Sequence, residues 1–544
     1  MQNFTPEQLK AVMAPLKGVT KIISAAGSGK TYSLVGIAKQ NRHLRGLYIA
    51  FTKSAKLDAE ARFPKYVSCQ TVNGLAFKTT GQRYSHKLNP SGLKSFDVIK
   101  LMDLAWNWEF AGQVVDTLAA YCASDATEFP TTATSISHTP VGAPHLLQYA
   151  AVVASKLWER MQDVNDAAPM THDGYLKLFQ LQHPRLPVDY VMVDEFQDTN
   201  PVTLDIIRRQ TCPVVIVGDG YQSIFQFRGS VNAMDLIQPD QTFTLSQSFR
   251  FGPRVARIAN AVLWGFFGET MEIVGSGVDT VVRVLPSRAQ RHAVIARTNA
   301  QIFDEAAQAV QMNRSLAFAG GIRSYNFDKI IDAWYLSVGQ TEHMRDKFLL
   351  NFKSFAAFED YAINANDMES RRIIKMVHTY GDSIVQLVVA IQTATMTDLD
   401  QADVVLSTAH RCKGLTLHTV VLAEDFPALT GAEGNLLPPE KLNRQEVNLL
   451  YVALTRASHW MQLNETTLSF LRAMAMPDVV LEHAKTGNEE SAHPQCAVVQ
   501  PKSLKAPSAW FSDLPPDEDG FTAVVETVDT SVARARVAQF DLFL

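Results

Sequence analysis

An apolar run at residues 19–23 (VTKII) leads straight into SAAGSGKT at residues 24–31, and a helical pattern follows. Glycines let the backbone curl so that successive N–H groups face one point, and the N-terminus of the next helix adds donors and a favourable dipole there. Strand, glycine-rich turn, Lys-Thr and helix therefore make an anion cradle at the carboxyl end of a buried strand, which restricts the chain to an α/β fold with a parallel sheet. Backbone N–H groups of Gly27, Ser28, Gly29 and Lys30 are expected to face phosphates, with Ser24, Ala25 and Ala26 completing the loop. Lys30 would neutralise phosphate charge and the Thr31 hydroxyl would ligate Mg2+. Ser24 stands where the strict pattern has its first glycine.

A second segment supplies the matching acids. VMVDEFQD at residues 191–198 places Asp194 and Glu195 at the end of an apolar strand. Adjacent carboxylates there repel unless a cation or a proton partner intervenes; Asp194 holding Mg2+ and Glu195 polarising an attacking water removes the conflict. Further short β-branched runs at 47–51, 190–193, 214–217, 293–296 and 404–406 read as buried parallel strands, with chemistry expected where they end. Two mostly helical stretches, 80–186 and 305–400, read as insertions into this framework. Their aromatic residues, Trp106 and Trp108 among them, read as core.

Charge argues neither way about partners: Lys plus Arg is 50 and Asp plus Glu is 55, a net −5, so a nucleic-acid partner has to be argued from motifs. At 544 residues, 47% hydrophobic and 19% charged, the chain reads as three to four folded domains. Five scattered cysteines without a CxxC pair point to a reducing compartment and away from disulfide or zinc frameworks. No signal peptide and no membrane-spanning run is legible, so no membrane partner is expected.

The ordered motifs over residues 3–470 resemble superfamily 1 DNA helicases of the UvrD/Rep/PcrA type, especially the F-box DNA helicases. FTPEQLKAV resembles the adenine-reading Q motif, with Gln8 as base contact. LYIAFTKSAK and CQTVNGLAF resemble motifs Ia and Ib, VGDGYQSIFQFRGS motif III, LSQSFRFG motif IV, STAHRCKGLTL motif V, and EVNLLYVALTRA motif VI. LSQSFRFG, ARTNAQIFDEA and GGIRSYNFDKIIDAW carry the closer likeness to the F-box subgroup; since the chain opens at the Q motif, no F-box is expected ahead of it and ubiquitin-ligase assembly is not implied.

This resemblance implies an α/β fold of two RecA-like parallel-sheet P-loop domains, each with a mostly helical insertion. Residues 1–80 and 187–244 would form domain 1A, 81–186 insertion 1B, 245–304 and 401–470 domain 2A, 305–400 insertion 2B, and 471–544 a flexible tail. It implies ATP and Mg2+ as cofactors, Lys30, Asp194, Glu195, Gln222, Arg250 and Arg456 as catalytic groups, and Phe249 and Gly414 as further nucleotide contacts. Single-stranded and tailed duplex DNA would meet Phe51, Phe225 and Phe227 by stacking, and Thr52, Thr71, Asn73 and His410 by phosphate contact.

Three departures stand out: Asn73 for the His common in motif Ib, Thr416 for the Glu of motif V, and Tyr32 after GKT where Arg is common. The expected activity is a 3′ to 5′ DNA helicase or translocase in repair, replication or recombination control. A translocase that mainly strips DNA-bound proteins and an ATP-switched sensor of a defence or mobile-element system are the alternatives, with RNA the lesser substrate. The closing QFDLFL resembles the peptide by which bacterial proteins bind the sliding clamp, through Gln539, Phe540, Asp541, Leu542 and Phe543, so a bacterial, nucleoid-associated cytoplasmic location is expected.

Overall fold

The computed structural model describes residues 4–480 except 105–106, 137–138, 141, 227–228, 278–279, 283–290, 347 and 366. Strands β1 (Val19–Ser24), β2 (Gly46–Ala50), β3 (Val67–Thr71), β4 (Tyr190–Val193), β5 (Val214–Gly218) and β6 (Gln241–Leu245) form one sheet in the order β3-β2-β4-β5-β1-β6, with every pair parallel. After a two-residue pair, β7 (Gln247–Ser248) with β8 (Val274–Gly275), comes a second all-parallel sheet. Its strands are β9 (Thr280–Val282), β10 (His292–Ala296), β11 (Leu316–Phe318), β12 (Val404–Thr408), β13 (Leu417–Leu422) and β14 (Ala457–Gln462), ordered β11-β12-β10-β13-β14-β9. Two parallel sheets of this kind are the expected pair of RecA-like domains.

Strand position explains which strands the sequence reveals. Central β2, β4 and β5 are buried along their whole length, because helices cover both faces, so they read as unbroken apolar runs. Edge strands β3 (VSCQT) and β6 (QTFTL) are partly exposed and carry polar residues that hide them. In the first sheet, the loops leaving β1, β2, β3 and β4 carry residues 24–31, 51–52, 71–73 and 194–195, which brings the candidate site to one edge.

Between β3 and β4, helices Ser95–Met102, Trp108–Ala123, Pro144–Gln162 and His172–Leu181 enclose their own core around Val114, Leu157, Trp158 and Phe179. Side-chain caps fix where two of these begin, Asn107 accepting from Phe110 N–H at 3.0 Å and Thr171 from Gly174 N–H at 3.0 Å. The second helical stretch starts later than residue 305: helix Asn299–Gln311 and β11 belong to the second sheet, since β11 pairs with β12 and Phe318 is buried in that lobe's core. Trp108 is packed against Phe96, Phe352 and Tyr361, so it does lie in an aromatic core, one shared by the two helical stretches. Trp106 lies outside the described residues.

The tail also departs from expectation. Ordered packing continues past residue 470, because helix Glu465–Ala473 buries Phe470 and Leu471, Val479 is buried, and Asp478 pairs with Arg257 at 2.8 Å. Among the described residues no helix is long and apolar enough to cross a membrane.

Phe303 joins the second sheet to its helices, fully buried with ring centres 5.4 Å from Phe327 and 4.9 Å from Tyr380. Phe303→Ala is expected to cost about 3–5 kcal/mol, the range for truncating a core aromatic, read as a shifted urea midpoint; a loss below about 1 kcal/mol would contradict this packing.

Candidate active site and nucleic-acid interface

The phosphate loop is built by two left-handed glycines, Gly27 at φ +77° and Gly29 at φ +79°. A Cβ on Gly27 would fall 2.6 Å from Ser248 Oγ and 2.7 Å from Arg250 Cβ, so glycine is needed for the approach as well as for the turn. Backbone bonds hold the loop from both sides: Ala25 N–H donates to the Leu245 carbonyl at 2.8 Å and Phe249 N–H to the Gly27 carbonyl at 2.9 Å. Ser24 Oγ donates to the Gly218 carbonyl at 3.0 Å, anchoring the loop to β5 where a first glycine would have no such bond.

Gln8 is buried and already engaged. Its Oε1 accepts from Thr5 N–H at 3.1 Å in a capping box, and its Nε2 donates to the Ser28 carbonyl at 2.9 Å. The residue expected to read the base thus also props the loop. Tyr32 and Phe249 both border Gly29 and are half exposed, offering flat apolar surfaces to a planar base.

Two observations fit a nucleotide phosphate here. Ser28 Oγ is buried in the cradle without a hydrogen-bond partner. Two guanidinium groups also stand in the cleft under electrostatic stress: burial, then repulsion from Arg456, pulls Arg250 down to about 9, and burial lowers Arg456 as well. An anion would relieve both.

The acids lie beside this cradle. Lys30 Nζ meets Glu195 Oε1 at 2.6 Å, while Asp194 Oδ2 accepts from Thr31 Oγ1 at 3.0 Å and from Tyr48 OH at 2.9 Å. Burial works against the Lys30 charge, but Glu195 and Asp194 outweigh it and raise its pKa. Burial likewise opposes the Glu195 charge, yet Lys30 and Lys413 hold its carboxyl well below the usual range. Asp194 moves the other way, raised by burial and by Glu195 against the pull of Lys30. Glu195 itself sits in the left-handed region at φ +52°, a backbone conformation that costs a non-glycine residue energy. Thr31 and Asp194 together supply the hard oxygen donors that Mg2+ takes.

From the second lobe, Arg456 Nη2 donates to Gln222 Oε1 at 3.1 Å, and Gln222 Nε2 donates to Asp219 Oδ2 at 2.6 Å. Arg250 donates to Thr416 Oγ1 at 2.8 Å and to the Thr455 carbonyl at 3.2 Å, so Thr416 gives the arginine a neutral partner. Gly414 adopts φ +87° in the same turn, with open space where a Cβ would be.

The DNA candidates line the adjoining edge. Phe51 and Phe225 stack at 5.3 Å and 24°, with His410 6.2 Å from Phe225. Thr52 and Thr71 each cap a helix, accepting from Ala55 N–H at 3.1 Å and Gly74 N–H at 3.0 Å, and Asn73 lies on the turn after Thr71. Phe227 and the peptide Gln539, Phe540, Asp541, Leu542 and Phe543 lie outside the described residues. Sequence reasoning assigned no role to Tyr48, Gln197, Asp219, Lys413 or Tyr451. Gln197 ties Glu195 to Asp219, donating to Glu195 Oε2 at 2.6 Å and accepting from Asp219 N–H at 3.1 Å, and Tyr451 OH donates to Asp219 at 3.1 Å. All five lie within quoted motifs, Tyr48 in LYIAFTKSAK, Gln197 in VMVDEFQD, Asp219 in VGDGYQSIFQFRGS, Lys413 in STAHRCKGLTL and Tyr451 in EVNLLYVALTRA, but nothing in residue type or spacing distinguished their side chains from their neighbours.

Residues 154–240 match the family described as UvrD/REP helicase N-terminal domain. The chain is similar to F-box DNA helicase 1 of Gallus gallus, 32% identical over 84% of this chain and 48% of that protein, and to F-box DNA helicase protein 1 of Schizosaccharomyces pombe, 29% identical over 86% and 58%. DNA helicase II of Salmonella typhimurium is 24% identical over 48% of this chain and 40% of that protein. The chain thus spans about half the length of the curated relatives it matches. The two relatives matching over most of this chain are eukaryotic, so the bacterial, nucleoid-associated location gains no support from them.

Burial lowers the His410 imidazole to about 4, with Glu446 pulling the opposite way. The unfolded chain, with His near 6.5, binds the extra proton first, so this group's contribution is present above about pH 6.5 and is lost as pH falls towards 4. His410→Gln should therefore flatten the fall in melting temperature over that window relative to the unaltered chain, and an identical slope would contradict the buried neutral imidazole.

Proposed function

Because the chain belongs to the UvrD-like superfamily 1 helicases, we propose that it is an ATP-dependent DNA helicase or single-stranded DNA translocase. The observation that carries the reading is the segment 222–225. At one end the Gln222 side chain takes Arg456 of the second lobe, and at the other the Phe225 ring stacks on Phe51. Nucleotide chemistry and base stacking are therefore three residues apart on one piece of backbone.

In this reading the amides of residues 27–30 and the ammonium of Lys30 bind the ATP phosphates. Thr31 and Asp194 would hold Mg2+, which supplies charge neutralisation when bound. Glu195 accepts the proton of the attacking water, and Arg250 and Arg456 stabilise charge that develops in the transition state. Both arginines come from residues outside the first sheet, so their alignment depends on how the two lobes meet, and hydrolysis is tied to lobe movement. Phe51 and Phe225 grip bases by stacking, at about 1–3 kcal/mol each, while Thr52, Thr71, Asn73 and His410 contact the backbone.

The division this reading takes, supported by which strands share a sheet, is domain 1A from residues 1–80 and 187–244, insertion 1B from 81–186, domain 2A from 245–318 and 401–480, and insertion 2B between. The 3′ to 5′ direction and a role in repair, replication or recombination belong to the same proposal, and the clamp peptide rests on the sequence alone.

ATP hydrolysis by the purified chain should rise strongly with single-stranded DNA and much less with duplex DNA or RNA. Lys30→Ala and Glu195→Gln should each lower kcat by about 100-fold or more, with Glu195→Gln still binding nucleotide. Rates indifferent to every nucleic acid would overturn the DNA reading, and faster displacement from a 5′-tailed than a 3′-tailed duplex would overturn the direction.

A further inference from the structure

The chain crosses from the first lobe to the second over a short connection: Leu245 ends the first sheet, and Phe251 is already buried in the second lobe's core. The connection is gripped from both sides. From the first lobe the phosphate loop supplies two backbone bonds, Ala25 N–H to the Leu245 carbonyl at 2.8 Å and Phe249 N–H to the Gly27 carbonyl at 2.9 Å. From the second, Val274 N–H donates to the Ser246 carbonyl at 3.1 Å and Ser276 N–H to the Ser248 carbonyl at 2.9 Å. Arg250 follows directly, so whatever holds the connection also aims that guanidinium.

A third hold from the first lobe is made by a side chain. Glu7 Oε2 accepts from Ser246 N–H at 2.7 Å, and Glu7 Oε1 accepts from Ser246 Oγ at 2.9 Å. Hydrogen bonds to a carboxylate are stronger than neutral ones, so the one residue between β6 and β7 is fastened firmly at both its donors. Glu7 shares the first turn of helix Pro6–Met13 with Gln8, and the Thr5–Gln8 capping box stiffens that turn. Gln8 spends one position on Oε1 and one on Nε2 within the protein, which leaves a lone pair and an N–H for a base. The carboxylate on the connection and the amide expected to meet the base are thus adjacent residues of one braced turn.

Resting on the ATPase reading above, we propose that Glu7 is a positioning residue that ties the base at Gln8 to the aim of Arg250. A base bonded to the Gln8 amide adds holds to the same turn, so Ser246 keeps its place as the lobes close and the guanidinium meets the developing charge in line. A base that mismatches the amide leaves the turn freer to shift, and Arg250 then arrives off line. Base identity is therefore read in kcat, where small misplacements are costly, and not only in the tightness of nucleotide binding.

The test measures kcat and KM with saturating oligo-dT for ATP and for inosine triphosphate, which keeps the phosphates, sugar and purine but has an oxygen in place of the adenine amino group. The unaltered chain, Glu7→Ala, Glu7→Gln and Ser246→Ala are compared, with melting temperature read alongside. The unaltered chain should hydrolyse ATP with a kcat about tenfold above that for inosine triphosphate. Glu7→Ala should lower kcat for ATP by about tenfold, to near the inosine value, with KM for ATP within about twofold of the unaltered chain. Glu7→Gln keeps an acceptor for Ser246 N–H and should restore part of the ratio, and Ser246→Ala, which keeps the backbone bond, should fall between. An unchanged ratio of the two kcat values in Glu7→Ala, or a loss confined to KM, overturns the proposal. If Glu7→Ala melts too early to assay, a ratio in Ser246→Ala equal to that of the unaltered chain does the same. An unaltered chain that turns over both nucleotides with equal kcat sinks this role and leaves the ATPase reading standing, whereas one that hydrolyses neither sinks both.

Discussion

The Lys30–Glu195 ion pair, at 2.6 Å, is the contact around which the rest of the site is arranged. Charges this deeply placed lose hydration, and they persist only where partners replace the water. Gln197 binds the second Glu195 oxygen, Thr31 and Tyr48 share one Asp194 oxygen, and Gln222 stands between Asp219 and Arg456. Thr31, Gln197 and Gln222 follow β1, β4 and β5, and Tyr48 lies within β2, so the network depends on the parallel sheet that brings these strands side by side.

That dependence also explains the division of the site between two lobes. The first sheet supplies phosphate donors and acids, and the cations Arg250, Lys413 and Arg456 come from segments beyond it. Both arginines are depressed by burial, against the opposing pull of Glu195, and an anion in the cleft would relieve that cost. The stacked Phe51 and Phe225 lie at the other end of the same backbone segment, three residues from the Gln222 side chain that Arg456 contacts.

Much of the fold was legible because β2, β4, β5, β10 and β12 are interior strands whose apolar runs report burial on both faces, and β1, whose burial alternates, is marked by the glycine-rich loop that follows it. Edge strands β3, β6, β9 and β11 went unread, and so did β13 and β14, where Thr419, His418 and Ser458 interrupt the apolar pattern. The boundary at residue 305 was misplaced because the helix Asn299–Gln311 has the same periodicity whether it covers a sheet or belongs to an insertion. Composition alone likewise misread residues 471–480, where Leu471 and Val479 pack into the second core.

The sequence by itself determined the phosphate loop and the acid pair, because each depends on residue types at fixed local spacing, whereas Arg250 and Arg456 entered through the family resemblance of their motifs. Tertiary structure alone decided that Gln8 braces the loop it was expected to serve, that Tyr48 orients Asp194, and that Lys413 stands between Glu195 and Phe225. The physical reason is range: a turn or a cap is fixed by neighbours a few residues away, whereas Lys413 and Asp198 are 215 residues apart and meet only after both sheets have formed.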